Sequence, residues 1–135
     1  MTKLLITGGA GFIGSNLVFE ALSEGFEVVN LDALTYAGNL ANLKTVENTK
    51  GYDFVEGSIT DSALVSSVFK THKPSIVLNL AAESHVDRSI DRPDDFIQTN
   101  IHGTFTMLTE ALRYYETLSG AERDAFRFIQ VSTDE

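Results

Sequence analysis

Residues Thr7 to Gly14 read TGGAGFIG, with Gly8, Gly11 and Gly14 spaced three apart. The run follows an apolar stretch, Lys3–Thr7, and precedes a segment of helical spacing, so it sits where a strand hands over to a helix. Glycines at that junction let the chain turn sharply and let backbone amides approach a pyrophosphate, which the open N-terminus of the helix then stabilises. Spaced three apart, Gly8, Gly11 and Gly14 give G-x-x-G-x-x-G, a different spacing from the dinucleotide pattern G-x-G-x-x-G, and the run lacks the Gly-Lys-Ser/Thr ending of a nucleoside-triphosphatase loop, which disfavours an ATPase.

Working outward, five short apolar runs read as strands: Lys3 to Thr7, Glu27 to Leu31, Tyr52 to Glu56, Ser75 to Leu80 and Arg127 to Ser132. Between them, Ile13, Leu17, Val18, Ala21 and Leu22 form one helical stripe. Leu64, Val65, Val68 and Phe69 form another behind an N-cap at Thr60 or Asp61. The longest helix is predicted from about Pro93, with Asp91, Asp94 and Asp95 at the positive end of its dipole. Its expected buried stripe is Ile97, Ile101, Thr104, Phe105, Leu108, Leu112 and Tyr115, with Gly103 marking a close backbone approach. Strands alternating with helices predict an α/β fold, a Rossmann-type doubly wound parallel sheet of five strands with right-handed crossovers. The chain ends directly after its fifth predicted strand, which leaves a sheet edge uncovered and predicts a fragment, residues 1–135 being one domain.

The 135 residues are 43% hydrophobic and 21% charged, enough for a single core. Ten Lys and Arg against 19 Asp and Glu give a net charge of −9, which argues against nucleic acid or an anionic membrane surface as partner. A dinucleotide is still compatible with that charge, because backbone dipoles rather than cations make the phosphate contacts. There is no cysteine, which excludes disulfides and thiolate chemistry and fits a reducing, cytoplasmic compartment. His72, His85 and His102 are widely separated without paired i, i+4 spacing, so no metal site is expected.

Asp32 ends the second predicted strand 18 residues after Gly14, where a carboxylate can accept hydrogen bonds from an adenosine ribose and would repel a 2′-phosphate. Neither Ala33 nor Leu34 supplies a cation, so NAD is favoured over NADP. Taken alone, Asp32 reads equally well as a solvated loop acid. The carboxyl ends of the fourth and fifth strands carry Leu80 to Arg88 and Ser132 to Glu135, and ligands of open parallel sheets lie at such ends. Ala81 and Ala82 permit close approach of a flat cofactor, while His85 reads as a hydrogen-bonding or surface group. Thr133, Asp134 and Glu135 bring a hydroxyl and two carboxyls, suited to acid/base work if their environments differ and the backbone bends, and otherwise an exposed acidic end.

The segments TGGAGFIG, DALTYAGN from Asp32, NLAAESHVDRSI from Asn79, FIQTNIHGT from Phe96 and STDE at the end resemble the extended short-chain dehydrogenase/reductase family. AAESHVDRS and Thr-Asp-Glu point within it to the nucleotide-sugar dehydratases; a sugar-nucleotide epimerase usually carries a Ser-rich stretch at the latter place. The resemblance implies NAD as cofactor, a nucleotide sugar as substrate and a homodimer. It places Gly8, Gly11, Phe12, Ile13 and Gly14 at the pyrophosphate, Asp32, Ala33, Leu34 and Thr35 at the adenosine ribose, and Ser58 and Ile59 at the adenine. Leu80, Ala81, Ala82, Glu83, Ser84 and Thr99 would line the rest of the cofactor, and Ser84 and Thr133 would touch the hexose. Asp134 would donate and Glu135 accept a proton while a hydride leaves sugar C4 for NAD, water is lost across C5 and C6, and the hydride returns to C6. Ala33, Ser58 and Asn79 replace a usual lysine, aspartate and histidine. The family's Tyr-x-x-x-Lys pair would lie beyond Glu135, since Tyr36, Tyr52, Tyr114 and Tyr115 have no lysine four residues on. The rival reading is a non-catalytic NAD-binding module.

Overall fold

The computed structural model describes residues 2–34, 39–82 and 90–132. Its elements are β1 (Lys3–Thr7), α1 (Phe12–Ser23), β2 (Glu27–Asp32), a 3-10 turn (Leu40–Leu43), β3 (Tyr52–Glu56), α2 (Ser62–His72) and β4 (Ile76–Asn79). There follow α3 (Pro93–Phe96), a π-helical segment (Ile97–Gly103), α4 (Thr104–Thr117), α5 (Gly120–Ala125) and β5 (Arg127–Gln130). The strands form one sheet in the order β3-β2-β1-β4-β5, every neighbouring pair parallel. The order reverses between β1 and β4, and there the crevice at the carboxyl ends opens.

Strand alternation divides the core between the two faces. Leu4, Ile6 and Val28 pack with Val18 and Ala21 of α1 and with Leu43. Leu5, Val29, Leu31 and Val77 pack on the other face with Val65, Val68 and Phe69 of α2 and Met107 and Ala111 of α4. The sheet is thus wound on both sides, as the sequence pattern predicts. Helix α2 starts where its cap residue dictates: Asp61 accepts a hydrogen bond from the Leu64 amide at 3.1 Å, a contact worth about 1 kcal/mol. Pro93 opens α3 with Asp94 and Asp95 in the first turn, as expected at a helix dipole's positive end.

Two expectations about burial are overturned. Ile13 does not join the buried stripe of α1 but stands 68% exposed at its first turn. The stripe expected inside the long helix faces outward: Ile97, Ile101, Phe105, Leu108 and Leu112 are between 48% and 66% exposed. The buried positions are Gly103, Thr106, Met107, Glu110 and Ala111 instead. The inner face packs on α2 and Ile59, with Met107 filling the core and glycine standing where the approach to Ile59 is closest. A Cβ added at Gly103 would meet the end of the Ile59 side chain at 2.5 Å. The wide π-helical turns before α4 also break the uniform helical phase on which the expected stripe was drawn.

Candidate functional site

The glycine turn is held from inside the protein, amide by amide. Gly8 N–H donates to the Leu31 carbonyl at 2.9 Å, Gly9 N–H to Asn30 Oδ1 at 3.0 Å and Ala10 N–H to Asp32 Oδ2 at 2.9 Å. From the other side, the Asn39 amide and Asn42 Nδ2 both donate to the Ala10 carbonyl, at 3.1 and 3.0 Å. Gly8 has φ +71°, and a Cβ there would lie 2.9 Å from the Ala81 amide nitrogen, so the turn and the loop after β4 approach as only glycine allows.

Beyond Gly11 the amides face the other way. No side chain caps α1, and the first intrahelical bond from outside the helix is Ser15 N–H to the Gly11 carbonyl. The amides of Phe12, Ile13 and Gly14 therefore present the partial positive charge of the helix end at the crevice. Phe12, 82% exposed, and Ile13 flank them. Such an arrangement suits a pyrophosphate, and it corrects the expected departure from the dinucleotide pattern: Gly9, Gly11 and Gly14 do read G-x-G-x-x-G, with Gly9 and Ala10 turned inward to β2.

Asp32 ends β2 nearly buried, its Oδ1 accepting from the Leu34 amide at 2.7 Å and its Oδ2 from Ala10. Leu34 takes the left-handed conformation, φ 56°, to make that bond, while Ala33 is exposed. The carboxylate keeps further lone pairs for a ligand, so it is both a latch on the turn and an acceptor at the rim. Ser58 closes on itself, its hydroxyl 2.7 Å from that of Thr60 and accepting the Thr60 amide at 3.1 Å. The Ile59 side chain is buried, so the face it can offer a ligand is backbone. Thr99 lies half-buried in the π-helical segment, whose Gly103 packs on Ile59.

After β4, Leu80 and Ala81 amides each donate to the Thr7 hydroxyl at 3.1 Å. Thr7 donates in turn to Asn79 Oδ1 at 2.5 Å, and Asn79 Nδ2 to Gln130 Oε1 at 2.8 Å. Leu80 and Ala81 thus stand beside the glycine turn, with Ala82 next in the chain. The structure brings together Gly8, Gly11, Phe12, Ile13, Gly14, Asp32, Ala33 and Leu34, facing Leu80 to Ala82. Thr35, Glu83, Ser84, Thr133, Asp134 and Glu135 lie outside the described residues.

Sequence reasoning missed the polar row behind the site: the buried Thr7, Asn30, Tyr52 and Asn79, and Gln130 at its exposed end. Asn30 was the available signal, an amide inside the otherwise apolar VVNL of residues 28–31. The Tyr52 phenol accepts from Asn30 Nδ2 at 3.2 Å. Burial pushes its pKa up, with the hydrogen bond from Asn30 working against that and the charge of Asp32 adding to it.

A family model described as GDP-mannose 4,6 dehydratase matches residues 5–135. A dTDP-glucose 4,6-dehydratase of Xanthomonas campestris pv. campestris (strain B100) is 56% identical over 135 residues, 100% of this chain and 38% of that protein. The crystal structure of a dTDP-glucose 4,6-dehydratase from Bacillus anthracis str. Ames in complex with NAD superposes with a TM-score of 0.81 at 38% identity, covering 99% of this chain and 38% of that one. A UDP-glucose 4-epimerase from Thermotoga maritima, solved with UDP-glucose, gives 0.76 at 34% identity over 84% of this chain and 35% of its own. The chain spans 38% of the length of the first of these relatives.

Proposed function

The chain belongs to the GDP-mannose 4,6 dehydratase family, and we propose that its 135 residues form one NAD-binding domain of a protein that dehydrates a nucleotide sugar, dTDP-glucose to dTDP-4-keto-6-deoxyglucose. The observation that carries the cofactor half is the outward-facing first turn of α1 at the switch point, with Asp32 at the end of the next strand. The residues fit a dinucleotide: an uncapped helix end for the phosphates, a carboxylate for the adenosine ribose, and a Gly8–Ala81 approach that leaves the crevice floor smooth. Ser58, Ile59, Thr99 and Leu80 to Ala82 complete the lining in this reading, with Thr35, Glu83 and Ser84.

Bound NAD supplies a hydride acceptor for sugar C4 and a donor for C6. The chain's own residues carry the protons of the elimination, while the C4 hydroxyl proton that leaves with the hydride falls to the family's Tyr-x-x-x-Lys pair, which is not among these 135 residues. Glu135 takes the C5 proton, made acidic by the C4 carbonyl, and Asp134, held protonated, delivers its proton to the departing C6 hydroxyl so that water leaves. Thr133 and Ser84 orient the hexose, and holding it against the cofactor supplies much of the rate advantage. Thr-Asp-Glu favours dehydration over the epimerisation named for the Thermotoga neighbour, whose cofactor half has the same fold.

The outward stripe of Ile97, Ile101, Phe105, Leu108 and Leu112 supports a homodimer, since so continuous an apolar face marks a surface that another chain covers. A cytoplasmic setting accords with a chain that has no cysteine. Calorimetric titration with NAD tests the cofactor half directly: saturable binding to the folded chain is expected, and its absence overturns the assignment.

A further inference from the structure

Asn30 is the one polar side chain in the interior of β2, and it is fully buried. An amide group there destabilises the fold unless it is paired, and both ends are: Oδ1 accepts from Gly9 N–H and Nδ2 donates to the Tyr52 phenol. The geometry follows from strand alternation. Asn30 and Asp32 are two apart on β2, hence on one face, and they take the consecutive amides of Gly9 and Ala10. Tyr52 lies on the same face of β3, where its register partner is Val28 and that of Asn30 is Phe54, so the phenol reaches Asn30 diagonally. Contact with Gly9 is close enough that a Cβ there would overlap the Asn30 amide.

We propose that Asn30, braced by Tyr52, is a positioning residue for the phosphate-binding turn: by turning the Gly9 amide inward it fixes the direction in which the amides of Phe12, Ile13 and Gly14 point. The proposal rests on the NAD reading for its ligand but not for its geometry. Asp32 fixes the Ala10 amide and the Leu31 carbonyl fixes that of Gly8, while the peptide between them is held at its carbonyl by Gly11 N–H and at its amide by Asn30. With Gly9 anchored as well, successive peptides are fixed before the helix begins.

The experiment uses the 135-residue chain with Asn30→Leu and, as the milder change, Tyr52→Phe, which keeps the ring and removes only the brace. NAD, ADP and adenosine are titrated against each. Asn30→Leu is expected to weaken NAD and ADP alike by about tenfold and to leave adenosine unchanged, because only ligands with phosphate use the turn. Tyr52→Phe is expected to give a smaller loss in the same pattern. In the unliganded chain, amide exchange of Gly9 is expected to be at least about tenfold faster in Asn30→Leu while α2 exchanges as before. Unchanged NAD affinity in both variants, or equal loss for adenosine, overturns the proposal. Wild-type chain that binds no NAD overturns the cofactor reading instead, and the Gly9 exchange then decides the positioning role by itself. Should Asn30→Leu fail to fold, the Tyr52→Phe titration and its Gly9 exchange decide.

Discussion

The Thr7 hydroxyl on β1 donates to the Asn79 amide oxygen on β4 at 2.5 Å, across the point where the strand order reverses. The two residues are register partners, and Gln130 on β5 is the next partner in the row. One hydroxyl thereby closes the crevice floor, since it also accepts the Leu80 and Ala81 amides. Thr7→Val leaves the Ala81 amide and the buried Asn79 Oδ1 short of a partner, while the Leu80 amide keeps the Thr7 carbonyl, and is expected to lower the unfolding free energy by about 1–3 kcal/mol. Thr7→Ser should stay near wild type. Urea denaturation of both variants checks this, and equal stability of Thr7→Val and wild type would count against the role.

Asp32 is expected to make the chain choose NAD over NADP, because a 2′-phosphate would meet a nearly buried carboxylate with no nearby cation at Ala33 or Leu34. Asp32→Ala should weaken NAD by roughly 1–3 kcal/mol, through both the lost ribose contact and the loosened Ala10 amide. Calorimetry with both dinucleotides measures it; NADP bound as tightly as NAD by wild type would refute the assignment.

Alkaline stability should depend on Tyr52 and Tyr114. Burial raises both pKa values above the usual 10.0, aided by the charge of Asp32 at Tyr52 and of Glu122 at Tyr114. A raised tyrosine favours the neutral form in the fold, so its contribution is fully present below pH 10.0 and is lost as pH rises through the folded value. Tyr52→Phe is therefore expected to flatten the fall in stability above that pH, read by urea midpoints across the alkaline range. An unaltered slope would contradict it.

Single charges on the outward stripe should separate association from folding. Ile101→Asp and Leu108→Asp change side chains that already face solvent, so thermal unfolding of the dilute chain should move little. Sedimentation is expected to show a dimer in wild type and a monomer in the variants. A wild-type monomer at high concentration would remove the stripe's proposed role.

The roles of Asp134 and Glu135 separate kinetically in a protein of the relatives' length bearing this sequence. Asp134→Asn is expected to spare hydride transfer from C4 while slowing elimination by about two to four orders of magnitude. Glu135→Gln should block exchange of the C5 proton. Solvent deuterium entering C5 at the normal rate in that variant would falsify the assignment.

The fold was legible because its signals are local and backbone-driven. The short apolar runs and the Asp61 cap each specify a geometry that no distant residue needs to supply, and TGGAGFIG marks the turn by its glycines although Asn30 and Asp32 hold it; each occurs where expected. The inner face of α4 was not legible, since large apolar residues at helical spacing look the same whether they face a core or another chain. What decided it was the room left beside Ile59, a property of packing. The amide anchors were hidden for a similar reason: Asn30 and Tyr52 are 22 residues apart, and only strand register brings them together.

The strand order also carries a consequence for how the crevice comes into being. Strand β1 pairs with β2, whose residues follow 24 positions later, Lys3 with Glu27, but its other neighbour is far more distant, Thr7 with Asn79 across 72. Closing the longer loop is entropically the harder step. The β1–β2 half, with the Gly9 and Ala10 anchors, can therefore assemble before β4 docks, and the Thr7 hydroxyl meets Leu80 and Ala81 only at the end. A ligand that needs both walls binds only the finished sheet, and its presence draws late folding species toward completion by mass action.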